Sequence, residues 1–595
     1  MRRLLLIGLT ILLVSIFALP AAAIPTSDLA SLASYYPANA AFYVGFRTDQ
    51  AFIDTLDGVI SRVERVGDPT ASGSNLLEGL DEATQTLTRD ANATFMETLR
   101  PLLGDIGAVG TTDAFPLIDE DPSNDDKAGV GVALQITDRA GVTALLQDMI
   151  SANDGNAMFV VESTDAADTI VPSGSNQMPV PYYFYVGNDV LLVGNTDAVL
   201  TAASLTNTLA GAEDFNSTIS QLPNGDYNIA AYLAIGPIAR AQMSTLEAMT
   251  ADMPELDAQM AQLDALSGVY NSINGVAVGF VILEEVHFTM DFFVSIDSSA
   301  YLEQLGISPD VLAGFTPFDP AFASRLPADA AAVILSSNLG ANIDNSLSTN
   351  LQMMGDMQGM GAEEFEAALN QINFVLRGAT GLTLDEITAS LNGQFALGLS
   401  INPEALMAGL MGGGEPIVDL FGFGLVFENV DGGIQPLYDG IAQAVQQFLP
   451  MAEESGITLE ALDVPGGSGW TITIPPQTTD LSYPLLIQMA VNDSVFVLGT
   501  PDYVTQALSA DGGLAADASF QSSLSTSLPG APAFLYLAPS AVSIIDLAAL
   551  GRSMNEGAPS VGAILDSLNI SSGMTAEGEL SAAGRAVITL QSAGE

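Results

Sequence analysis

The sequence predicts an α+β protein of two tandem homologous domains, each a mainly antiparallel β-sheet with helices packed on one face. Three observations predict it. Apolar runs short enough for strands are joined by hairpin signals, which favours antiparallel pairing. Helical patterns are interspersed among those runs. The order of turn, strand, cap and helix also occurs twice, opening on PANAAFYVGF (37–46) and again on PADAAAVILS (327–336).

The first element is a leader. Arg2 and Arg3 form a positive n-region, Leu4 to Leu19 an apolar h-region, and Pro20 precedes Ala21-Ala22-Ala23, which fits an A-x-A cleavage site. Residues 1–23 are therefore expected to be a signal peptide, with export to the cell envelope or the medium and a mature chain starting at Ile24. The alternative is an uncleaved N-terminal helix that anchors the protein.

In each half, proline and Asn39 or Asp329 supply turn chemistry before an apolar run expected to be a buried strand. Thr48 or Asp49, and Ser337 or Asn338, then offer caps. One face of the next helix carries Phe52, Leu56, Val59 and Val63 in the first half, and Ile343, Leu347 and Leu351 in the second. RDANATFMETLRPLLGDIGAVG (89–110) and RGATGLTLDEITASLNGQFALG (377–398) both read as amphipathic helix, glycine turn and strand. GVALQITDRAGV (131–142) answers GLVFENVDGGI (424–434). YYFYVGNDVLLVGNTDAVLTAAS (182–204) answers LIQMAVNDSVFVLGTPDYVTQALS (486–509), where Asn-Asp between β-rich runs signals a hairpin leading into a helix. The runs 273–294 and 571–592 read as long alternating strands that close each copy.

Counterpart spacing drifts by only a few residues per loop, so Pro37 pairs with Pro327, Gly104 with Gly393 and Gly194 with Gly499. The expected domains are 24–305 and 306–595, joined by a proline-containing linker around FTPFDPAF (315–322). The period is far too long for a solenoid.

These segments resemble a bacterial exported family, the domain of unknown function 3352. Its members open on a similar Pro-Ala-Asp/Asn-Ala segment and carry a similar helix–glycine–strand stretch behind an export signal. The resemblance covers most of the mature chain in two copies. Leu103 and Leu391 stand near the glycine where the family often has an aromatic. The resemblance implies fold and export; the family has no established activity, so no catalytic or cofactor-binding residue is carried over.

Bulk composition narrows the chemistry. The 595 residues exceed one compact core, and 48% hydrophobic with 14% charged residues is a globular balance. Seventy acidic against 14 basic side chains give a net charge of −56, which repels nucleic acid and anionic membrane surfaces. Divalent cations, or an envelope or extracellular protein, are the partners such a surface admits. No cysteine is present, which excludes disulfides, thiolate metal sites, cysteine nucleophiles and a lipid-anchoring cysteine.

His287 is the only histidine, so multi-histidine metal sites are excluded. It lies in VILEEVHFTMDFFV, read as one strand, on the side of Glu285 and Thr289 and opposite Arg585 in the repeat alignment. A surface strand residue is the plain reading. GGSGW (466–470) lacks the closing glycine of a nucleophile elbow, and Asn124 stands where an S-x-x-K motif ending at Lys127 would need serine. No phosphate loop or dinucleotide fingerprint occurs. Trp470 is the single tryptophan and builds no stacking platform.

Two cation readings remain. In DEDPSNDDK (119–127), Asp119, Asp121, Ser123 and Asp125 occupy positions 1, 3, 5 and 7 of a calcium loop, although Asn124 replaces its glycine and Val130 its glutamate. A solvated acidic loop is the competing reading. Met354, Met357 and Met360 sit three apart and could offer thioethers to Cu(I), or fill core space. No cofactor is expected beyond calcium at the acidic loop. The function expected is that of an exported, non-enzymatic cell-envelope or extracellular protein, acting by binding or as a structural component. The alternative is a carboxylate-based hydrolase, with or without a bound cation.

Calcium at Asp119 to Asp125 predicts a melting temperature that rises with added calcium, and Asp121→Ala removes most of that rise. An equal rise with sodium at matched ionic strength would mark charge screening instead.

Overall fold

The structure, a computed structural model, describes residues 23–67, 76–112, 129–152, 159–173, 182–236, 238–239, 268, 270–284, 287–297, 300, 316–344, 362–402, 421–453, 455–476, 484–541, 565–575 and 581–590. The signal segment up to residue 22, the calcium-loop residues 119–127, the methionine cluster 353–361 and the 305/306 boundary lie outside them. The chain divides into two compact units, Met1–Tyr301 with Glu579–Ala583 and Ser592–Glu595, and Leu302–Gly578 with Gly584–Gln591. Both mix helices with antiparallel sheet, so the α+β class holds.

The first unit starts at β1 (Ile24–Pro25), paired with β9 (Asp226–Tyr227), and continues into α1 (Thr26–Leu29). Its sheet contains β2 (Phe42–Arg47), β3 (Leu103–Thr111), β4 (Val130–Ile136), β5 (Phe159–Ser163), β6 (Asp168–Pro172), β7 (Tyr183–Val186), β8 (Val190–Gly194), β10 (Ile229–Leu233), β11 (Ile273–Glu284) and β12 (His287–Ile296). The strands pair antiparallel in the order β12-β11-β10-β2-β3-β4-β8-β7-β6-β5. One row across it reads Ala277, Tyr232, Tyr43, Gly110, Gly131, Gly194. Its helices are α2 (Gln50–Gly67), α3 (Leu76–Thr88), α4 (Phe95–Thr98), α5 (Arg139–Ala152), α6 (Ala198–Thr201) and α7 (Glu213–Ile219). Local chemistry explains their starts: Asp49 accepts from the Phe52 amide at 3.1 Å, and Thr94 from the Glu97 amide at 3.3 Å.

The second unit contains β13 (Ala332–Ser337), β14 (Gln394–Ile401), β15 (Phe421–Glu428), β16 (Thr458–Leu462), β17 (Ser468–Ile474), β18 (Leu485–Val491), β19 (Val495–Gly499), β20 (Ala533–Leu537) and β21 (Leu565–Thr575), while β22 (Ser581–Leu590) is divided between the units after Ala583. Antiparallel pairing runs β21-β20-β13-β14-β15-β19-β18-β17-β16. One row reads Asn569, Tyr536, Val333, Gly398, Gly424, Gly499. Its helices are α8 (Ala362–Thr380), α9 (Leu384–Ala389), α10 (Gln435–Glu453), α11 (Pro501–Ser509) and α12 (Ala518–Ser525). A reciprocal capping box between Thr383 and Glu386 starts α9.

Three expectations are corrected. Helices cover both faces of each sheet, not one. In the first unit Ala230 and Tyr232 join the core that holds Phe215 of α7, whereas neighbouring Ile229 joins Phe52 and Leu56 of α2. In the second, Val495 and Val497 pack with Tyr503 and Phe520, and Phe496 between them packs with Leu437 and Tyr438. The unbroken apolar runs of these strands are the signature of burial on both sides. The second correction concerns 316–322, which is no linker. Phe318 is buried and stacks on Phe534 at 5.6 Å, and Asp319 caps a 3-10 helix over Pro320–Arg325. The third concerns 273–294, which is a hairpin with Glu284 opposite His287. His287 begins its second strand instead of lying inside one long one.

An ion pair anchors α5 to the β5–β6 turn. Arg139 Nε donates to Asp168 Oδ2 at 3.0 Å, its Nη1 and Nη2 donate to the Asp165 and Thr164 carbonyls, and the Thr143 hydroxyl also donates to Oδ2. Arg139 holds the Asp168 carboxyl down at about 2, chiefly through that hydrogen bond and against the opposing cost of burial. The stabilisation is complete above the ordinary value of 3.8 and is lost as pH falls through about 2. Asp168→Asn should lower stability at neutral pH by about 2 kcal/mol in urea unfolding. It should also flatten the pH dependence of the midpoint below 3.8; an unchanged acid slope would refute this assignment.

Candidate functional site

In the second unit the P-A-D-A turn, the end of β14, the start of α11 and the end of β20 enclose a cleft of about 1060 Å³. Each wall has a local cause. The Ala330 amide donates to the Pro327 carbonyl at 3.2 Å, closing the turn before β13. Gly499 ends β19, and Pro501 fixes the first turn of α11. That helix start presents Asp502 to the rim and Tyr503 to the floor.

Tyr503 is 1% exposed, and its hydroxyl shares a 2.8 Å hydrogen bond with the Ser400 hydroxyl. Its ring lies on glycine backbone: a Cβ on Gly398 or Gly424 would come within 2.5 Å of it. Burial pushes the Tyr503 phenol well above its ordinary value, the Ser400 bond opposes this, and the Asp329 charge adds to it. Tyr503 therefore stays protonated at neutral pH and serves as a hydrogen-bonding floor. Asp329 and Asp502 are exposed at the rim. Asp517, also lining the cleft, is engaged as the N-cap of α12, accepting from the Phe520 amide at 2.8 Å. The result is an acidic rim above a neutral hydroxyl floor, suited to holding a ligand with donors or positive charge.

The first unit has a smaller cleft of about 310 Å³ beside its own turn, lined by Pro37, Asn39, Thr112 and Ala198 among others. The Ala40 amide donates to the Pro37 carbonyl at 2.9 Å. Here the aromatic on the glycines comes from the turn side. The Tyr36 hydroxyl donates within reach of the Ala108 and Gly131 carbonyls, at 3.1 and 3.0 Å, and its ring is 3.0 Å from where a Gly110 Cβ would stand. Burial pushes this phenol up as well.

Other predicted positions fall elsewhere. His287 is half-buried at the start of β12 and lines neither cleft. Asp119, Asp121, Ser123 and Asp125 lie outside the described residues. Among the described residues, no group of three or more His, Asp or Glu could hold a metal ion, and no helix is long and apolar enough to cross a membrane. Ser400, Tyr503, Asp329 and Asp502 were not singled out from sequence as a site. The turn and the GTPDY junction were legible as backbone punctuation, but their meeting depends on β13, β14, β15 and β19 pairing side by side.

Residues 3–583 match the family described as "Protein of unknown function (DUF3352)", in one continuous match and not one per half. The chain belongs to that family. No curated protein and no solved structure matches it.

Tyr503→Phe should cost about 1 kcal/mol in urea unfolding through the lost Ser400 bond. Gly398→Ala should cost about 1–3 kcal/mol by overpacking the ring, and less when Tyr503→Ala is also present. Additive costs would refute the contact as their cause.

Proposed function

We propose that this member of the DUF3352 family is an exported, non-enzymatic cell-envelope or extracellular protein that acts by binding, built from two copies of one α+β domain. One observation carries the reading: scaffold features recur in the two units while their polar groups do not. The order β11-β10-β2-β3-β4-β8-β7-β6-β5 and the order β21-β20-β13-β14-β15-β19-β18-β17-β16 are the same path through a sheet. Even the register agrees, with Gly110, Gly131 and Gly194 answering Gly398, Gly424 and Gly499.

Against that shared frame, Tyr36 answers Leu326 and Ala198 answers Tyr503, so the aromatic floor comes from opposite sides. Asn39 answers Asp329. A duplicated catalytic pair would be expected to recur with its scaffold, whereas binding surfaces diverge freely. The register also amends two sequence pairings. The Thr48 amide donates to the Asp105 carbonyl and the Asn338 amide to the Gly393 carbonyl, so Gly393 answers Asp105 and not Gly104. Ile229 faces Phe280 and Ala533 faces Ser572, so Phe280 answers Ser572, and the pairing of 273–294 with 571–592 shifts in this strand.

Export is supported by the n-region, h-region and AAA site. Ala23 and Ile24 pack against the first core and Ile24 pairs with Tyr227, so cleavage would precede docking of this segment. The hydrolase alternative draws on one observation, that Asp329 and Asp502 both line the cleft.

Intact-mass analysis of the exported protein should give an N-terminus at Ile24; Met1 to Leu19 still attached would make it an anchored protein. A panel of ester, glycoside and phosphoester substrates should show no turnover by wild type above that of an Asp329→Asn/Asp502→Asn variant. Turnover that this variant abolishes would establish the hydrolase instead.

A further inference from the structure

We propose that the first unit holds a single saturated alkyl chain in an apolar cavity between its sheet and helices α2, α3 and α5. The cavity measures about 240 Å³, and only Arg47 and Thr48 among its lining residues are polar. Its wall is otherwise Leu, Ile, Val, Phe and Met, including Leu80, Leu134, Leu146, Met149 and Leu191. Such a wall gives water no partners; an apolar cavity of ~150 Å³ already stays dry and takes up benzene. Left empty, its atoms lack dispersion partners on one side, which a hydrocarbon restores.

Ten leucines and a flexible methionine outnumber the three rings of the wall, Phe46, Phe52 and Phe95, and conform to a flexible chain. The polar end does not select the ligand by charge. Arg47 Nε is paired with Asp49 Oδ2 at 2.6 Å, and the guanidinium lies 5.7 Å from the Phe52 ring centre. The chain, and not a headgroup, is what this cavity reads.

The second unit places aromatic rings at the same level of its sheet. Leu134 and Leu191 are a cross-strand pair of β4 and β8, and the pair at the same register in β15 and β19 is Phe427 and Phe496. Those rings stack at 5.9 Å, and Tyr438 meets Phe496 edge-on at 6.1 Å. This equivalence rests on the duplication reading; the cavity does not.

Calorimetric titration of the exported protein with decanoate tests the proposal, with decanol as competitor. One saturable site that decanol also occupies is the expected result. Leu134→Phe and Leu191→Phe, made singly so that either can stand if the other fails to fold, should each weaken binding about tenfold or more by filling the space. Their unfolding midpoints should be unchanged or higher. Three results would overturn it: no saturable binding below the micellar concentration, undiminished binding in a folded filled variant, or decanoate that decanol does not displace. Ser522→Ala, at an exposed position of α12 that lines neither this cavity nor the second unit's cleft, serves as the control that leaves binding unchanged. None of these results bears on the N-terminus or the hydrolysis panel, so the two readings fail separately.

Discussion

The constraint on which each unit depends is a row of glycines across the middle of its sheet. Gly110, Gly131 and Gly194 in the first, and Gly398, Gly424 and Gly499 in the second, remove the side chains from three adjacent strands at one level. Helix and turn residues then approach the backbone itself. Val199 of α6 stands 2.5 Å from where a Gly194 Cβ would be, and Tyr503 of α11 equally close to Gly424. Glycine weakens a strand when considered alone. Here the loss is offset by an aromatic or aliphatic side chain buried directly on the sheet.

That close approach sets the level at which α6 and α11 leave their hairpins, and therefore where the clefts open. Tyr36 fills the trough from the turn and leaves Ala198 small on the helix side; Tyr503 fills it from the helix and leaves Leu326 at the turn. One volume is thus met by exchanging an aromatic between two positions, which keeps packing density while changing what the cleft displays. The second cleft gains the Ser400–Tyr503 hydroxyl pair and the Asp329 rim as a result.

On the opposite face the same principle works with larger groups. Phe427, Phe496 and Tyr438 close the second unit's core as a ring cluster, and leucines at matching sheet positions in the first unit leave apolar space. Both faces of both sheets therefore carry core, and among the described acidic residues only Asp168 and Asp291 are buried.

The sequence by itself determined the α+β class, the hairpins at Asn188-Asp189 and Asn492-Asp493, the cap at Asp49, and the turns at Pro37 and Pro327. These are local: proline and glycine geometry, side-chain capping and short-range periodicity act within a few residues. Tertiary structure alone decided that helices lie on both faces, that Phe318 belongs to a core, and that His287 starts a strand at a hairpin. It also decided the meeting of Asp329, Ser400 and Tyr503, which stand far apart in the chain. The reason is that strand order and register join residues hundreds of positions apart, and an apolar run reads the same whether one of its faces is covered or both.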